Sequence, residues 1–460
     1  MLVLGLLLAE FSLPVPTTRD KWIRPAGATY YRLAPPLSGA YHSAFPYFGN
    51  SEDEVSARKI ADFEALAGRR IVWAYFSSNW LEGIRFPQAA VRTIHEHGAI
   101  PFIRLMSWSR IEQGIPEPTY TLQRIIDGAF DGELAEWADQ AKHQPFPLLV
   151  EFGTEVNGEW FPWNGKYNGG GETVGYGDPD MPDGPERFRD AYRHIIGLFR
   201  ERGVENVTWF FHVNAQSWPA ASWNRMARYY PGDDCIDWIG VSVYGSQAPG
   251  DDWIQFRQIL DASYPELSAI STSKPLALLE YGVAEDPERG SKGAWIAQAL
   301  HALRSLRYPR LKAVSYWHES WENDDGTISD LRINSSPAAL AAYRRGIADP
   351  FFAAAPRVIS LQPPLHPTLQ RLENDLVFFK ETINRLAWEA NPLNTAALSC
   401  FRLYRRPESS EDDAYALLAE VAPGVLTYDD RGLHPDERFA YRLVAVDTEG
   451  RESEPAVVSN

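Results

Sequence analysis

The feature that most constrains the fold is a repeated order of segments between residues 38 and 350. Eight short apolar runs are each followed by a loop rich in aromatic, Asn and Gly residues and then by a helical segment. The runs are mostly continuous rather than alternating, as expected for parallel strands that are buried on both faces. We predict strands over residues 39–41, 70–76, 100–105, 147–152, 207–211, 236–242, 275–280 and 311–317.

The segments between these runs favour amphipathic helices. Residues 187–202 repeat apolar side chains near a 3.6-residue period and end at Gly203, a helix-stop signal. Residues 134–142 and 292–306 behave similarly. Eight strand–helix units predict an α/β fold, a (β/α)8 TIM barrel over residues 38–350. The alternative is a doubly wound open sheet, but no glycine-rich phosphate loop follows the first strand.

Composition excludes several partners. The 44 Lys and Arg residues are outnumbered by 61 Asp and Glu, and the net charge of −17 disfavours nucleic acid and anionic membrane surfaces. No apolar stretch is long enough for membrane insertion. Two cysteines are too few for a disulfide scaffold or a structural zinc site. We expect no metal and no cofactor. The 16 Trp, 21 Tyr and 22 Phe residues either fill a barrel or stack on sugars.

The two ends of the chain differ from its middle. Residues 1–37 begin with an apolar stretch of secretory length that no Lys or Arg precedes, which predicts a signal remnant or an ordered arm. Residues 357–460 carry short alternating runs separated by turn residues, typical of a small all-β antiparallel sandwich. This segment resembles a fibronectin type III domain, with Trp388 and Tyr441 at the positions of its core tryptophan and corner tyrosine. We interpret it as a spacer or attachment module.

Two glutamates stand where a barrel holds its active site. Active sites of such barrels lie at the carboxyl ends of the strands. Glu155 follows the fourth predicted strand, and Glu280 ends the seventh. A pair of carboxyl groups across the barrel mouth is what glycosidic cleavage needs, one as a proton donor and the other as nucleophile or base. The structural alternative is that both glutamates pair with Arg or Lys.

Residues 38–343 resemble the catalytic domain of glycoside hydrolase family 26, the retaining β-mannanase family. The resemblance rests on these stretches: 155–163 (EVNGEWFPW), 237–240 (DWIG) with Tyr244, 279–282 (LEYG) and 316–317 (YW). It implies that Glu155 is the acid/base and Glu280 the nucleophile. Tyr244 would then hydrogen-bond the nucleophile, and Trp160 and Trp317 would stack on sugars on either side of the scissile bond.

The chain departs from the family at two positions. Thr154 precedes the acid/base where the family usually has His, and His318 follows Trp317 where a different polar residue is expected. Both departures concern the choice of sugar rather than the reaction. The predicted substrate is therefore a β-linked polysaccharide or oligosaccharide, with β-mannan first and mixed-linkage β-glucan or xylan next. A monomeric protein, secreted or periplasmic, is expected.

Other polar and aromatic residues near strand ends are candidates for substrate binding. The predicted contacts, beyond Trp160, Tyr244 and Trp317, are Trp108, Asn157, Trp163, His212, Asn214 and His318. Arg104, Tyr75 and Trp80 are weaker strand-end candidates, and Glu151 and Glu319 are expected at the rim or behind the site. A second function remains open at this point: a non-catalytic polysaccharide-binding barrel that keeps the aromatic residues without turnover.

Overall fold

The structure is a computed structural model, and it describes residues 32–359, 361–376, 379–391, 394, 398–408, 415–447, 450, 452–453 and 455–459. Most of the predicted N-terminal arm, residues 1–31, lies outside this part of the chain. None of the helices that the structure describes combines the length and the apolar character needed to cross a membrane.

The centre of the fold is a closed barrel of eight parallel strands. Each strand pairs with the next one along the chain, and the last pairs with the first. After a short strand β1 (Arg32–Ala34), the barrel strands are β2 (Ala40–Phe45), β3 (Trp73–Asn79), β4 (Ile100–Met106), β5 (Leu148–Phe152), β6 (Val207–Asn214), β7 (Trp238–Tyr244), β8 (Leu276–Gly282) and β9 (Leu311–Trp317). The predicted barrel is confirmed, and the open doubly wound sheet is wrong.

Eight α-helices lie between the barrel strands or after the last one; among the described residues, two of them lie between β4 and β5 and none between β6 and β7. They are α1 (Ala57–Ala67), α2 (Gln88–His97), α3 (Leu122–Ile126), α4 (Asp131–Lys142), α5 (Asp183–Glu201), α6 (Phe256–Ala269), α7 (Lys292–Arg304) and α8 (Pro337–Ile347) within the described residues. A serine immediately before the first residue marks the start of three of these helices in the sequence. Ser56, Ser291 and Ser336 precede α1, α7 and α8, and each hydroxyl accepts a hydrogen bond from a backbone N–H in the first turn.

Part of the aromatic content fills the barrel interior. The Phe102 and Phe210 ring centroids are 4.6 Å apart, and Trp73 and Trp238 contact the same pair at 5.7 Å and 5.6 Å. These four residues come from β3, β4, β6 and β7 and are buried. These rings fill part of the interior, and the active sites of such barrels lie at the carboxyl ends of the strands.

The amino-terminal end of the barrel is covered by β1. Arg32 forms a buried ion pair with Asp237, at 3.2 Å between Nη1 and Oδ2. The Leu33 N–H donates to Thr208 Oγ1, and its carbonyl accepts the Trp238 indole N–H. After the hairpin β10 (Ser320–Glu322) and β11 (Ile328–Asp330) and the short β12 (Phe352–Ala353), the strand β13 (Arg357–Ile359) pairs antiparallel with β1.

The remaining strands form two antiparallel sheets. One has three strands, β14 (Leu365–Leu376), β15 (Phe379–Glu389) and β18 (Thr427–Leu433); the other has four, β16 (Leu398–Pro407), β17 (Ala416–Val421), β19 (Phe439–Asp447) and β20 (Ala456–Ser459). Trp388, Phe401 and Tyr441 are buried in one shared core. The predicted all-β character is confirmed, while β14, β18 and β20 were not predicted.

Candidate active site

Glu155 lies on a tight turn at the carboxyl end of β5. Gly153 and Glu155 both have positive φ, 66° and 47°. A side chain at Gly153 would clash with Phe188, since its Cβ would lie 2.5 Å from that ring. A left-handed backbone is uncommon for a residue with a side chain, and such strain concentrates at functional sites. The turn leaves the Glu155 side chain 8% exposed, with Oε2 accepting the Trp160 indole N–H at 2.7 Å.

Glu280 lies within β8, two residues before the strand ends, and is 4% exposed. Its Oε2 accepts a hydrogen bond from the Tyr244 hydroxyl at 2.8 Å. Its Oε1 lies 3.6 Å from Arg104 Nη2 and has no hydrogen-bond partner among the described residues. Burial raises the pKa of Glu280 to about 7; the Arg104 cation acts against this rise, and the negative charge of Glu155 adds to it.

Arg104 is the buried cation of the site. It projects from β4, is 3% exposed, and forms ion pairs with Glu52, Glu151 and Glu280. Its guanidinium also lies 5.3 Å from the ring centroids of both Tyr75 and Trp317. Burial opposes its charge, yet the surrounding carboxylates outweigh burial and raise its pKa well above the ordinary value. Arg104 therefore stays charged and connects the carboxylates around the barrel mouth.

Glu151 and His212 form a buried pair below the mouth. The Tyr75 hydroxyl donates to Glu151 Oε1 at 2.5 Å, and His212 Nδ1 lies 3.0 Å from Glu151 Oε2. Burial alone would raise the pKa of Glu151 and lower that of His212, but their mutual attraction reverses both directions. His212 Nε2 is 2.8 Å from Ser242 Oγ, and Thr154 Oγ1 is 2.7 Å from His212 Nδ1. The threonine that departs from the family pattern thus contacts this histidine.

Trp317 forms one aromatic wall of the mouth. Its ring stacks on Phe45 with centroids 4.1 Å apart, and its indole N–H donates to Glu319 Oε2 at 2.7 Å. Glu319 is buried, and burial together with the charge of Glu52 raises its pKa to about 8. The orientation of Trp317 is therefore fixed from both sides, by a stacked ring and by an acceptor.

Two predicted substrate contacts instead join the Glu155 turn to the end of β6. Asn157 is fully buried; its amide donates to the Asn214 carbonyl and to Ser217 Oγ, and its Oδ1 accepts the Asn214 N–H. The Asn214 side chain donates to the Gln216 carbonyl. Both side chains make contacts that hold the loops beside Glu155.

Three other predicted contacts are also buried. The Trp108 indole N–H donates to Asn79 Oδ1, and the Trp163 indole N–H donates to the Thr154 carbonyl. His318 Nδ1 accepts the Ile333 N–H, and its ring packs on Phe63 of α1. Burial lowers the pKa of His318 to about 3, so this ring is neutral. The polar atoms named here are engaged within the protein.

Some site residues were given too little weight or missed by sequence reasoning. Arg104 was expected only as a weak strand-end candidate, Glu151 and Glu319 were expected at the rim or behind the site, and Glu52 was missed entirely. Glu52 contacts Arg104 from the loop after β2. The predicted first strand ended at residue 41 rather than at Phe45, so Glu52 did not stand out as following a strand. Among the described residues, no group of three or more His, Cys, Asp and Glu is placed to hold a metal ion.

A closed parallel barrel with two buried carboxyl groups at its mouth, whose negative charges repel each other, and with aromatic rings around them has the features of a glycoside hydrolase barrel. A family model described as Glycosyl hydrolase family 26 matches residues 95–273, which include Glu155 and end shortly before Glu280. The matching region also contains Arg104, Trp160, His212 and Tyr244.

Characterised proteins are similar over part of their length. Endoglucanase H of Acetivibrio thermocellus is 28% identical over 312 residues, covering 67% of this chain and 31% of that protein. Beta-1,3-xylanase TXYA of a Vibrio species is 25% identical, covering 49% of this chain and 56% of that protein. A mannan endo-1,4-beta-mannosidase of Bacillus subtilis is 25% identical, covering 41% and 43%. The chain thus spans between about a third and somewhat over half of these relatives.

A solved structure has the same fold. The Cellulomonas fimi endo-beta-1,4-mannanase double mutant superposes with a TM-score of 0.50 at 17% identity, covering 92% of this chain and 93% of that one. Together, the family match and the relatives show that part of this chain is similar to glycoside hydrolase family 26 and to characterised polysaccharide hydrolases.

Proposed function

We propose that the protein is a retaining glycoside hydrolase that cleaves a β-linked polysaccharide, with Glu155 as acid/base and Glu280 as nucleophile. The observation that carries the proposal is the arrangement of the two carboxyl groups. Each has one oxygen that accepts a hydrogen bond, from the Trp160 N–H or the Tyr244 O–H. Glu280 Oε1 accepts no hydrogen bond from the described residues and has only the Arg104 cation 3.6 Å away. Two such groups supply the acid and the nucleophile of a double displacement.

In the first step Glu155 donates its proton to the leaving oxygen while the Glu280 carboxylate attacks the anomeric carbon. The nucleophile must be ionised, and burial opposes that ionisation. The Tyr244 hydroxyl and the Arg104 guanidinium both favour the ionised form, and both contact Glu280 directly. In the second step Glu155 takes a proton from water, which attacks the glycosyl–Glu280 ester and releases the sugar with retained configuration.

The candidate substrates are β-mannan, mixed-linkage β-glucan and xylan. Mannan was the first prediction, and the Bacillus subtilis relative is named for mannan. The relative that matches most of this chain is named an endoglucanase, and another is named for β-1,3-xylan, so all three polymers belong in the test. The choice of sugar depends on a few contacts to substrate hydroxyls. Thr154, which departs from the family pattern, contacts His212.

The test compares Glu280→Ala and Glu155→Ala with the wild type on the three polymers and on activated aryl glycosides. Glu280→Ala should be inert on all of them, and azide should rescue it with inverted product, because azide replaces the missing nucleophile. Glu155→Ala should keep activity only on aryl glycosides whose leaving group needs no proton. Glu159→Ala is the matched control: Glu159 lies in the same motif but is ion-paired with Lys166 at the surface.

Equal loss on polymer and aryl glycoside for Glu155→Ala would refute its role as acid. The second function, a non-catalytic polysaccharide-binding barrel, predicts that the wild type binds these polymers and releases no reducing ends from any of them.

We also propose that residues 357–460 form a fibronectin type III-like sandwich that serves as a spacer or attachment module. Its three- and four-stranded antiparallel sheets and the shared core of Trp388 and Tyr441 support this proposal. The Tyr441 hydroxyl donates to Asp430 and accepts from Asn384, so the corner tyrosine links strands of both sheets. A secreted or periplasmic, monomeric enzyme suits a polymeric substrate.

A further inference from the structure

Trp218 is the most exposed tryptophan among the residues that the structure describes. Its side chain is 51% exposed, whereas the other described tryptophans are buried or half-buried. It lies in the loop after β6, outside the strand-end positions from which the catalytic pair was predicted. An exposed ring of this size offers a flat apolar face with a polar N–H at its edge.

The backbone of Trp218 is attached to the Glu155 turn. Its N–H donates to the Asn157 carbonyl at 2.9 Å, and it forms a parallel bridge with Gly158. The Asn224 side chain donates to both the Asn157 carbonyl and the Pro219 carbonyl, at 2.9 Å and 3.0 Å. The backbone that holds the exposed ring is therefore fixed to the Glu155 turn, and its bridge partner Gly158 lies three residues after the proposed acid/base.

The ring borders an open cleft of about 520 Å³ with polar groups around it. Gln216, Ser217 and Ser222 supply an amide and two hydroxyls, and Arg225 and Glu266, which also line the cleft, form an ion pair at 3.1 Å. An aromatic face with amide, hydroxyl and ion-paired side chains around it suits a pyranose, which presents C–H groups on one face and hydroxyls at its edge. The net charge of −17 disfavours the stacked bases of a nucleic acid as an occupant.

The position also indicates which part of the substrate lies there. The acid donates its proton to the leaving oxygen, so the sugars that leave first lie on the side of Glu155. The backbone of Trp218 is hydrogen-bonded to the Glu155 turn, whereas the Trp317 ring lies against Arg104, which contacts Glu280.

We propose that Trp218 and its cleft form a sugar-binding subsite on the leaving-group side, which stacks on a β-linked sugar beyond the one next to the scissile bond. This inference rests on the proposed function. It predicts that Trp218 contributes to the cleavage of long substrates and adds nothing when the leaving group is not a saccharide.

The experiment measures kcat/KM for wild type, Trp218→Ala and Trp218→Phe on two kinds of substrate. The first kind is a hexasaccharide: β-1,4-mannohexaose, a mixed-linkage glucan hexasaccharide or β-1,3-xylohexaose. The second is the 4-nitrophenyl glycoside of the corresponding disaccharide. For Trp218→Ala the ratio of hexasaccharide to nitrophenyl kcat/KM should fall about tenfold, equivalent to about 1.4 kcal/mol. Trp218→Phe should keep most of the ratio, because it keeps a flat ring.

Leu306→Ala is the matched control. Leu306 is 64% exposed and lies between α7 and β9, at the end of the barrel away from the mouth, so its loss removes exposed apolar surface elsewhere. It should leave the ratio unchanged. Thermal melts of all variants check folding, and the backbone bond from residue 218 to Asn157 survives each substitution.

Each outcome decides the proposal. An unchanged ratio for Trp218→Ala, whether both rates stay constant or both fall together, overturns the subsite and leaves the proposed function standing. If the wild type cleaves none of the substrates, the proposed function fails, and calorimetric titration with the same hexasaccharides decides the subsite. Weaker binding by Trp218→Ala than by wild type would support it, and equal or absent binding would overturn it.

Discussion

Replacing Tyr244 by Phe tests how the site keeps Glu280, the proposed nucleophile, ionised. The Tyr244 hydroxyl donates to Glu280 Oε2 at 2.8 Å, and Phe keeps the ring while removing this donor. A hydrogen bond to a charged group contributes about 1.5–3 kcal/mol, and one pKa unit corresponds to about 1.4 kcal/mol. The bond favours the ionised carboxylate, so its loss should raise the pKa of Glu280 from about 7 by about one to two units.

The assay is the pH profile of kcat/KM on a 2,4-dinitrophenyl β-glycoside of the accepted sugar. This leaving group needs no proton, so the acid limb of the profile reports ionisation of Glu280 in the free enzyme. The limb should lie near pH 7 in the wild type and move to higher pH in Tyr244→Phe. At pH 7 the ionised fraction falls from about one half to between about a tenth and a hundredth, and kcat/KM falls in proportion.

Tyr167→Phe is the matched control for this prediction. Tyr167 is also half-buried, and its hydroxyl donates to the Glu159 backbone carbonyl rather than to a carboxylate. Its removal should leave the acid limb in place. An acid limb that does not move in a folded Tyr244→Phe variant, or that moves equally in the control, would refute the reasoning.

Three further predictions concern stability and the site's supports. Glu280→Gln should stabilise the fold more at pH 8 than at pH 4.5, by up to about 3 kcal/mol in denaturant unfolding. The pKa of Glu280 is raised from 4.5 to about 7 in the folded state, so the wild-type fold loses stability as this carboxyl ionises and the Gln variant does not. A difference in unfolding free energy that does not change with pH would contradict this. In Gly158→Ala the new Cβ would lie 2.2 Å from the Trp160 ring, so the indole N–H should no longer donate to Glu155. Polymer turnover should then fall at least about tenfold, with little change in melting temperature. Unchanged turnover would contradict this prediction. A chain ending at residue 355 loses β13, the partner of β1, and should melt below one ending at residue 359, whereas equal melts would show that this pairing does not support the barrel.

The barrel could be predicted because buried parallel strands leave a simple mark, continuous apolar runs separated by amphipathic helices. The predicted ends of the strands were less accurate: the second barrel strand ends at Asn79, three residues after its predicted end. Glu155 and Glu280 could be proposed from the sequence because active sites of such barrels lie at strand ends, and errors of a few residues in a predicted strand do not change which residues lie near its end.

The charge network could not be read from the sequence in the same way. Arg104 is 52 positions from Glu52 and meets it only when the barrel closes. The buried contacts of Asn157 and His318 likewise depend on partners from distant loops. In the C-terminal sheets, the missed strands β14 and β18 carry many charged or turn residues, which hide the alternating pattern, whereas β20 is only four residues long.

The most direct measurement of the central claim is covalent labelling of the nucleophile. A 2-deoxy-2-fluoro glycoside of the accepted sugar with an activated leaving group should form a glycosyl-enzyme that hydrolyses slowly, and peptide mass spectrometry should locate the sugar on Glu280. Glu280→Gln should take up no label, and Glu159→Ala should be labelled like the wild type. A label on Glu151, Glu155 or Glu319, or turnover of the natural polymer with inverted product and no label, would contradict the assignment of Glu280 as the nucleophile.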